Sequence, residues 1–190
     1  MTRTLTIICL ILTVVNAEAF AQTATPEKML MDVVNEQFGS IGVSAQFKFE
    51  NVMSLLVITV DQDTFGKSRP MLIKRGLLSK NVDERDLSLR PYSMGMSAAL
   101  QLSALCLEQL YNNLPNLDNA QVMVFSANRN SYGKVVRRLG EQFFFDRKLA
   151  MKIDWEHSDY RNLVVISQEF HVEEWLLEET AAEMKFWRPR

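Results

Sequence analysis

Cysteine and histidine are scarce in this chain, and their scarcity removes several classes of protein. The 190 residues include two cysteines, Cys9 and Cys106, and two histidines. Cys9 lies in the predicted leader described below, so a single cysteine is left after export and no intrachain disulfide can form. This excludes the disulfide-rich scaffolds of small secreted eukaryotic domains. The chain also lacks an Asn-x-Ser/Thr glycosylation acceptor, and both absences favour a bacterial periplasm.

An excess of charge of either sign is also lacking. The chain has 21 Lys and Arg residues against 23 Asp and Glu residues, which leaves a formal net charge of −2. We therefore expect no nucleic-acid partner, because nucleic-acid binding normally shows as a strongly basic domain. Only 7 glycines and 5 prolines are present, and no repeat or low-complexity linker divides the chain, so we expect a single domain.

The N-terminal segment has the three parts of a secretory signal peptide. An arginine supplies the positive charge, residues 5–15 form an apolar run, and Ala19 and Ala21 are the small residues that precede a cleavage site. The run is too short for a membrane-spanning helix, which needs about 20 apolar residues. We therefore predict that residues 1–21 are a cleaved leader and that residues 22–190 form an exported domain, periplasmic or otherwise secreted, without a stable membrane anchor.

The spacing of apolar residues predicts a helix followed by a hairpin in the first third of the exported chain. Thr25 and Pro26 are typical of a helix start, and Gly39 is typical of a helix end. Apolar and polar residues alternate over 43–49, which indicates a half-buried strand, and 55–60 is a continuous apolar and β-branched run. The two strands are close enough in sequence to pair as a hairpin.

The rest of the chain contains the strongest helix signal and two further strands. A long apolar stripe between Ser93, its predicted N-cap, and Pro115 predicts a largely covered helix. Strands are predicted over 121–127 and 134–145, and an acidic amphipathic helix over roughly 172–186. This order predicts an α+β fold, a two-layer single domain in which an antiparallel sheet of about four strands packs against the long central helix.

Two motifs that carry chemistry in other proteins are incomplete here. The run that begins at Asp61 resembles the start of a calcium loop, but hydrophobic residues stand at its fifth and twelfth positions, where ligands are required. Ser131 and Lys134 match the S-x-x-K of serine acyl-enzymes, but Gly133 and its Asn-rich approach predict a turn where that chemistry needs a helix. Neither motif predicts a site.

The histidines and the remaining cysteine give no catalytic or metal signature either. His157 and His171 lie among carboxylates without the spacing of a known zinc motif, which is typical of solvated surface residues. Cys106 lies among helix-forming apolar residues and is predicted to be a buried thiol. We therefore expect no metal, no cofactor and no catalytic residues.

Two groups of basic residues are candidates for an anion-binding site. Lys74 and Arg75 lie in a stretch without acids, and Arg137 and Arg138 lie in the second group. If the fold brings these groups together, the four side chains could hold a small anionic ligand. The alternative is that both groups are ordinary solvated surfaces.

The C-terminal helix carries the candidate partner-binding residues. Trp175, Phe186 and Trp187 are large aromatic side chains on or next to an amphipathic segment, and aromatic residues are enriched at binding hot spots. The alternative is that this helix packs on its own sheet.

The sequence therefore predicts a non-enzymatic exported protein that binds a protein partner. An envelope accessory factor and an immunity-type inhibitor of a secreted toxin are two forms such a protein could take. Two other functions stay open: a module that binds a small anionic ligand, and a hydrolase with a dispersed active site that uses one of the histidines.

Overall fold

One mixed sheet with a layer of helices on one face makes up the fold, which confirms the predicted α+β class. The computed structural model describes residues 25–50, 53–74 and 91–186. The predicted leader lies outside these residues. The strands are β1 (Val43–Glu50), β2 (Met53–Asp61), β3 (Asn119–Arg129), β4 (Val135–Asp146) and β5 (Glu169–Val172).

The described helices are those predicted, with several short additions. Asp61 begins the first short helix after β2, where its carboxylate accepts hydrogen bonds from the backbone N–H groups of Asp63 and Thr64. The segment around Leu72 is helical, as is the segment that begins at Leu163. The helices are α1 (Pro26–Phe38), α2 (Gln62–Phe65), α3 (Arg69–Lys74), α4 (Pro91–Asn113), α5 (Arg147–Ala150), α6 (Leu163–Ile166) and α7 (Glu174–Phe186).

The strands lie in the order β1-β2-β3-β4-β5, and all neighbours are antiparallel except β2 and β3. The sheet thus differs from the predicted one, which was antiparallel with about four strands. The parallel pair arises because the connection from β2 to β3 includes α4, whose 23 residues span about 34 Å. This helix returns the chain to the end of the sheet where β2 began, so β3 runs in the same direction.

β5 is the strand that the sequence did not predict. It has only four residues, Glu169–Val172, and they pair with residues 141–144 of β4. Four residues are too few for the alternation of a strand to be distinguished in the sequence from the start of the following helix. The predicted start of the C-terminal helix at residue 172 therefore lies in this strand, and α7 begins at Glu174.

One face of the sheet forms the core with the helices. Side chains along β2 alternate between buried and half-buried, and Leu56, Ile58 and Val60 are the buried members on the core side. α4 comes very close to this face, since a Cβ built on Gly95 would lie 3.0 Å from Cγ1 of Val60. Cys106 on α4 is fully buried, as predicted, and burial raises the pKa of its thiol.

Both ends of α4 are bonded by side chains from later elements. At its start, the carboxylate of Glu183 accepts hydrogen bonds from the backbone N–H groups of Tyr92 and Ser93. At its end, the guanidinium of Arg147 donates to the carbonyls of Tyr111, Leu114 and Leu117. The prediction of Ser93 as N-cap is wrong by at least three residues, because Pro91 is already helical and the N-cap precedes it.

The outer edge of β1 is occupied near its start by a side chain of α1. Asn35 accepts a hydrogen bond from the backbone N–H of Ala45 at 2.7 Å and donates one to its carbonyl at 2.9 Å. The amide thereby replaces the bonds that a neighbouring strand would make at Ala45, which is one way in which proteins block an exposed sheet edge. No helix among residues 25–50, 53–74 and 91–186 is long and apolar enough to cross a membrane.

Candidate functional site

A two-stranded arm extends beyond the rest of the sheet. β2 accompanies β3 only as far as Ala127, and β5 accompanies β4 only over residues 141–144. The hairpin residues beyond these points pair with each other, from Asn128 opposite Val136 to the closing turn. We call these residues, together with Arg137 and Arg138 at their base, the arm (residues 128–138).

Local hydrogen bonds close the turn of the arm. The side-chain oxygen of Asn130 accepts from the backbone N–H groups of Tyr132 and Lys134, both at 3.0 Å. Gly133 has a φ of 74°, a left-handed conformation that glycine adopts without strain. The predicted turn is confirmed, and it places Ser131 and Lys134 in a hairpin rather than on the helix that S-x-x-K chemistry needs.

The arm is exposed, basic and partly apolar. Every residue from Arg129 to Arg138 is exposed. Tyr132 has 86% of its surface accessible, Val135 58% and Val136 38%. The arm contains four cations and no acid, and none of the four forms an ion pair with a carboxylate of the described residues. Lys134 is the fourth cation, with Arg129, Arg137 and Arg138.

The base of the arm continues into the face of the sheet that lies opposite the core. Apart from the buried Ala127, side chains on this face are half-buried or exposed, and its apolar members lie outside the core cluster and outside the group of side chains packed against it. We call it the open face. Its residues include Ser44, Gln46 and Lys48 of β1, Leu55, Val57 and Thr59 of β2, Gln121, Met123, Phe125 and Arg129 of β3, and Arg137, Leu139, Gln142 and Phe144 of β4.

Arg137 lies on the open face, held by two contacts that leave its charge uncompensated. Its guanidinium donates a hydrogen bond to the hydroxyl of Thr59 at 2.7 Å. Its Cζ lies 4.9 Å from the centre of the Phe125 ring, within the range of a cation–π contact. Both contacts orient the planar group without neutralising it.

Arg138 lies on the opposite face, against the C-terminal helix. Its Cζ is 4.0 Å from the ring centre of Trp175. Trp175 in turn donates from its indole nitrogen to the carbonyl of Leu139 at 2.6 Å and packs edge-on against Tyr92. Burial, and then the nearby charge of Glu179, raise the pKa of Tyr92. Arg138 is therefore part of the contact between the sheet and α7.

The predicted anion site is not assembled as a single group by the described residues. Arg137 and Arg138 are neighbours on a strand, so their side chains leave opposite faces of the sheet, and one small anion cannot contact both guanidiniums. Lys74 is exposed at the end of α3, and Arg75 lies outside the described residues. Anion binding by these residues stays a prediction.

Of the three aromatic side chains of the tail, only that of Trp175 lies within the described residues. Trp175 is half-buried and packs within the domain, while Leu176 beside it is 2% exposed and belongs to the core. The side chain of Phe186 and the whole of Trp187 lie outside the described residues. Partner binding by the three aromatics stays a prediction.

Neither histidine forms a catalytic arrangement with the described residues. His157 is exposed and bonded to the carboxylate of Asp154 at 3.0 Å, a contact that raises the pKa of the imidazole and lowers that of the carboxyl. His171 lies 3.5 Å from the carboxylate of Glu173. Neither ring is bonded to a Ser, Thr or Cys of the described residues, and these residues contain no group of three or more potential metal ligands.

The arm is the feature that sequence reasoning missed as a unit. The turn and both strands were predicted, and the four cations were visible, but nothing in the spacing shows how far the neighbouring strands extend. The available signal was the absence of acids over residues 128–138 together with the two consecutive valines, Val135 and Val136.

Comparison of the chain with known protein families, with curated proteins and with solved structures finds no match in any of the three.

Proposed function

We propose that this is a non-enzymatic exported protein that binds a protein partner, with the arm as its main contact element. The observation that carries the proposal is the arm itself: ten consecutive exposed residues, 129–138, that combine uncompensated cations with exposed Tyr132, Val135 and Val136. Tyrosine and arginine are among the residues that binding hot spots favour.

Two further observations support the arm over other surfaces. The arm is ordered by its own hydrogen bonds, so little conformational entropy is lost when a partner binds it. The edge of β1 is blocked at Ala45 by Asn35, which disfavours addition of a partner strand there. Phe186 and Trp187 at the end of the chain are proposed as additional contacts.

Co-purification with arm variants tests this proposal. The tagged protein would be expressed in the organism that makes it, cross-linked in intact cells and isolated, and its partner would be identified by mass spectrometry. We expect a single partner in stoichiometric amount, and we expect the double variant Tyr132→Ser/Val135→Ser to recover less than a tenth as much, because truncating hot-spot side chains costs about 2 kcal/mol or more.

Val165→Ser is the matched control, because Val165 is 85% exposed and lies on α6, outside the arm. This variant should recover the partner like the wild type. Deleting the tail is a poor test, because α7 also bonds the start of α4 through Glu183. A protein that stays without any stoichiometric partner, or one whose partner is indifferent to the arm, contradicts the proposal.

A further inference from the structure

We infer that the partner segment is an acidic and apolar extended peptide that lies on the open face at the base of the arm, with its carboxylates on Arg137 and Arg129. The inference rests on the proposed function and names the chemistry of the partner. Its starting point is that the two arginines lie on the same face of the sheet, next to an apolar strip, and have no carboxylate partner among the described residues.

The guanidinium of Arg137 is already oriented for binding a carboxylate. Its guanidinium is already held in place by the hydroxyl of Thr59 and the ring of Phe125, so binding a carboxylate costs little side-chain entropy. One hydrogen bond at Nη2 leaves most of its N–H groups for a bidentate carboxylate, which is the strong form of this pair.

Arg129 provides a second cation at the right spacing. Ala127 lies opposite Arg137, and Arg129 is two residues further along β3, so the two arginines are diagonal neighbours on one face, about 7–8 Å apart at their backbones. That distance is close to the spacing of carboxylates on alternate residues of an extended peptide, about 6.4–6.8 Å. The guanidinium of Arg129 donates a hydrogen bond to the carbonyl of Gly133. This bond orients the Arg129 side chain but leaves its charge uncompensated.

The carboxylate of Asp61 belongs to the same face, and it is already engaged in hydrogen bonds. Asp61 pairs in register with Ala127. Its two oxygens accept hydrogen bonds from the backbone N–H groups of Asp63 and Thr64 and from the hydroxyl of Thr64. Asp61 thereby caps the start of α2. This carboxylate therefore holds a helix start and does not satisfy the arginines.

An apolar strip next to the arginines provides the other half of the surface. Val57, Met123 and Phe125 are half-buried on the open face and lie outside the core cluster. Val57 is in register with Met123, and Phe125 follows on the same face, so the strip leads directly to Arg137. Apolar side chains of the same extended peptide can cover this strip, which favours a peptide over a small free anion.

Binding of two defined peptides tests the inference. One peptide alternates Glu with Val, and the other has Gln at every Glu position. Affinities for the purified full-length exported protein are measured by calorimetry at low salt. We expect the Glu peptide to bind at least about tenfold more tightly than the Gln peptide, because each bidentate carboxylate contributes more than a neutral pair.

Two substitutions separate the open face from the general charge of the domain. Arg137→Gln should weaken binding of the Glu peptide about tenfold, whereas Lys152→Gln removes the same charge from an exposed residue outside the arm and should change it by less than about twofold. Circular dichroism confirms that both variants are folded. Equal affinity for the two peptides, no binding of either, or an equal loss from both substitutions overturns the inference.

Other ligand classes and the proposed function are distinguished in the same experiment. Vesicles of phosphatidylglycerol or inorganic phosphate that bind with the Arg137 dependence, while the Glu peptide does not, overturn the inference in favour of a lipid or a free anion. A different result separates the two proposals. If recovery of a stoichiometric partner depends on Tyr132 and Val135 but is unchanged in the double variant Arg129→Gln/Arg137→Gln, the proposed function stands and the acidic chemistry of the partner is wrong.

Discussion

The buried carboxylate of Glu183 on α7 accepts a hydrogen bond from the backbone N–H of Tyr92, at 2.8 Å, in the first turn of α4. A second bond, from Ser93, is 3.0 Å long. The first N–H groups of a helix have no partner within the helix, and its positive end favours an anion. A residue near the end of the chain therefore completes the helix on which the core is built.

We expect Glu183→Ala to lower the free energy of unfolding by about 2–3 kcal/mol, since two N–H groups lose a charged acceptor in a partly buried place. Glu183→Gln should cost less, because it keeps an acceptor oxygen but loses the charge. Urea denaturation measures both. Glu178→Ala on the exposed side of the same helix is the control and should change stability by less than about 0.5 kcal/mol. If Glu183→Ala and Glu178→Ala lower the free energy of unfolding equally, the hydrogen bonds from Glu183 to α4 contribute nothing specific to stability.

Arg147 should stabilise the other end of α4 in the complementary way. Its guanidinium donates to the carbonyls of Tyr111, Leu114 and Leu117 and lies 5.5 Å from the Tyr111 ring centre. We expect Arg147→Ala to cost about 2–3 kcal/mol in the same assay. Arg147→Lys should recover less than half of that loss, because an ammonium lacks the fork that reaches several carbonyls. Full rescue by lysine would mean that only the charge matters.

The two glycines with positive φ should respond differently to alanine. At Gly42, with a φ of 78°, a Cβ would lie 2.8 Å from Cβ of Thr64 and 2.9 Å from the carbonyl oxygen of Asp61. At Gly133, with a φ of 74°, a Cβ would meet nothing within 4 Å. We therefore expect Gly42→Ala to cost about 3 kcal/mol or more, from strain and overpacking together, and Gly133→Ala about 1 kcal/mol from strain alone. Thermal unfolding of both variants is the measurement, and similar losses would contradict the steric argument.

The fold could be predicted from the sequence wherever one face of an element is buried. Alternation over 43–49 and the apolar run over 55–60 identified β1 and β2, since a buried face imposes a period of two on a strand. The partners of α4 could not be predicted in the same way. Glu183 bonds Tyr92 across a sequence separation of 91 residues, and nothing in the local spacing indicates such a contact.

The candidate site was less accessible to sequence reasoning because it depends on where strands end. The grouping of Arg137 with Arg138 as one anion site followed their adjacency, although residues next to each other in a strand point to opposite faces. Once residues 134–145 were predicted to be a strand, that separation was already implied. The extent of the arm depends instead on β2 ending opposite Ala127, a property of three strands together.

Glu141 on β4 is an acidic group whose ionisation should affect folding. It lies opposite Val124 and Val172, whose side chains point towards the core, and its Oε2 is inaccessible to solvent with no hydrogen-bond partner among the described residues. Burial raises its pKa to about 7, because the charged form is poorly solvated there. Between about pH 4.5 and pH 7, the folded protein therefore holds a proton on Glu141 that the unfolded chain, with an ordinary carboxyl pKa near 4.5, has released.

The sign of the pH dependence follows from this difference. The folded state binds the proton more tightly, so the contribution of Glu141 to stability is fully present below pH 4.5 and is lost as the pH rises through about 7. The difference in pKa corresponds to roughly 3 kcal/mol between the two limits. Glu141→Gln cannot ionise, so relative to the wild type it should be more stable by a few kcal/mol at pH 8 and nearly equal at pH 4. Urea denaturation of both proteins between these pH values measures the difference, and Glu169→Gln, on the exposed strand β5, is the control. A stability difference between Glu141→Gln and the wild type that stays constant over this range would show that the carboxyl does not titrate there.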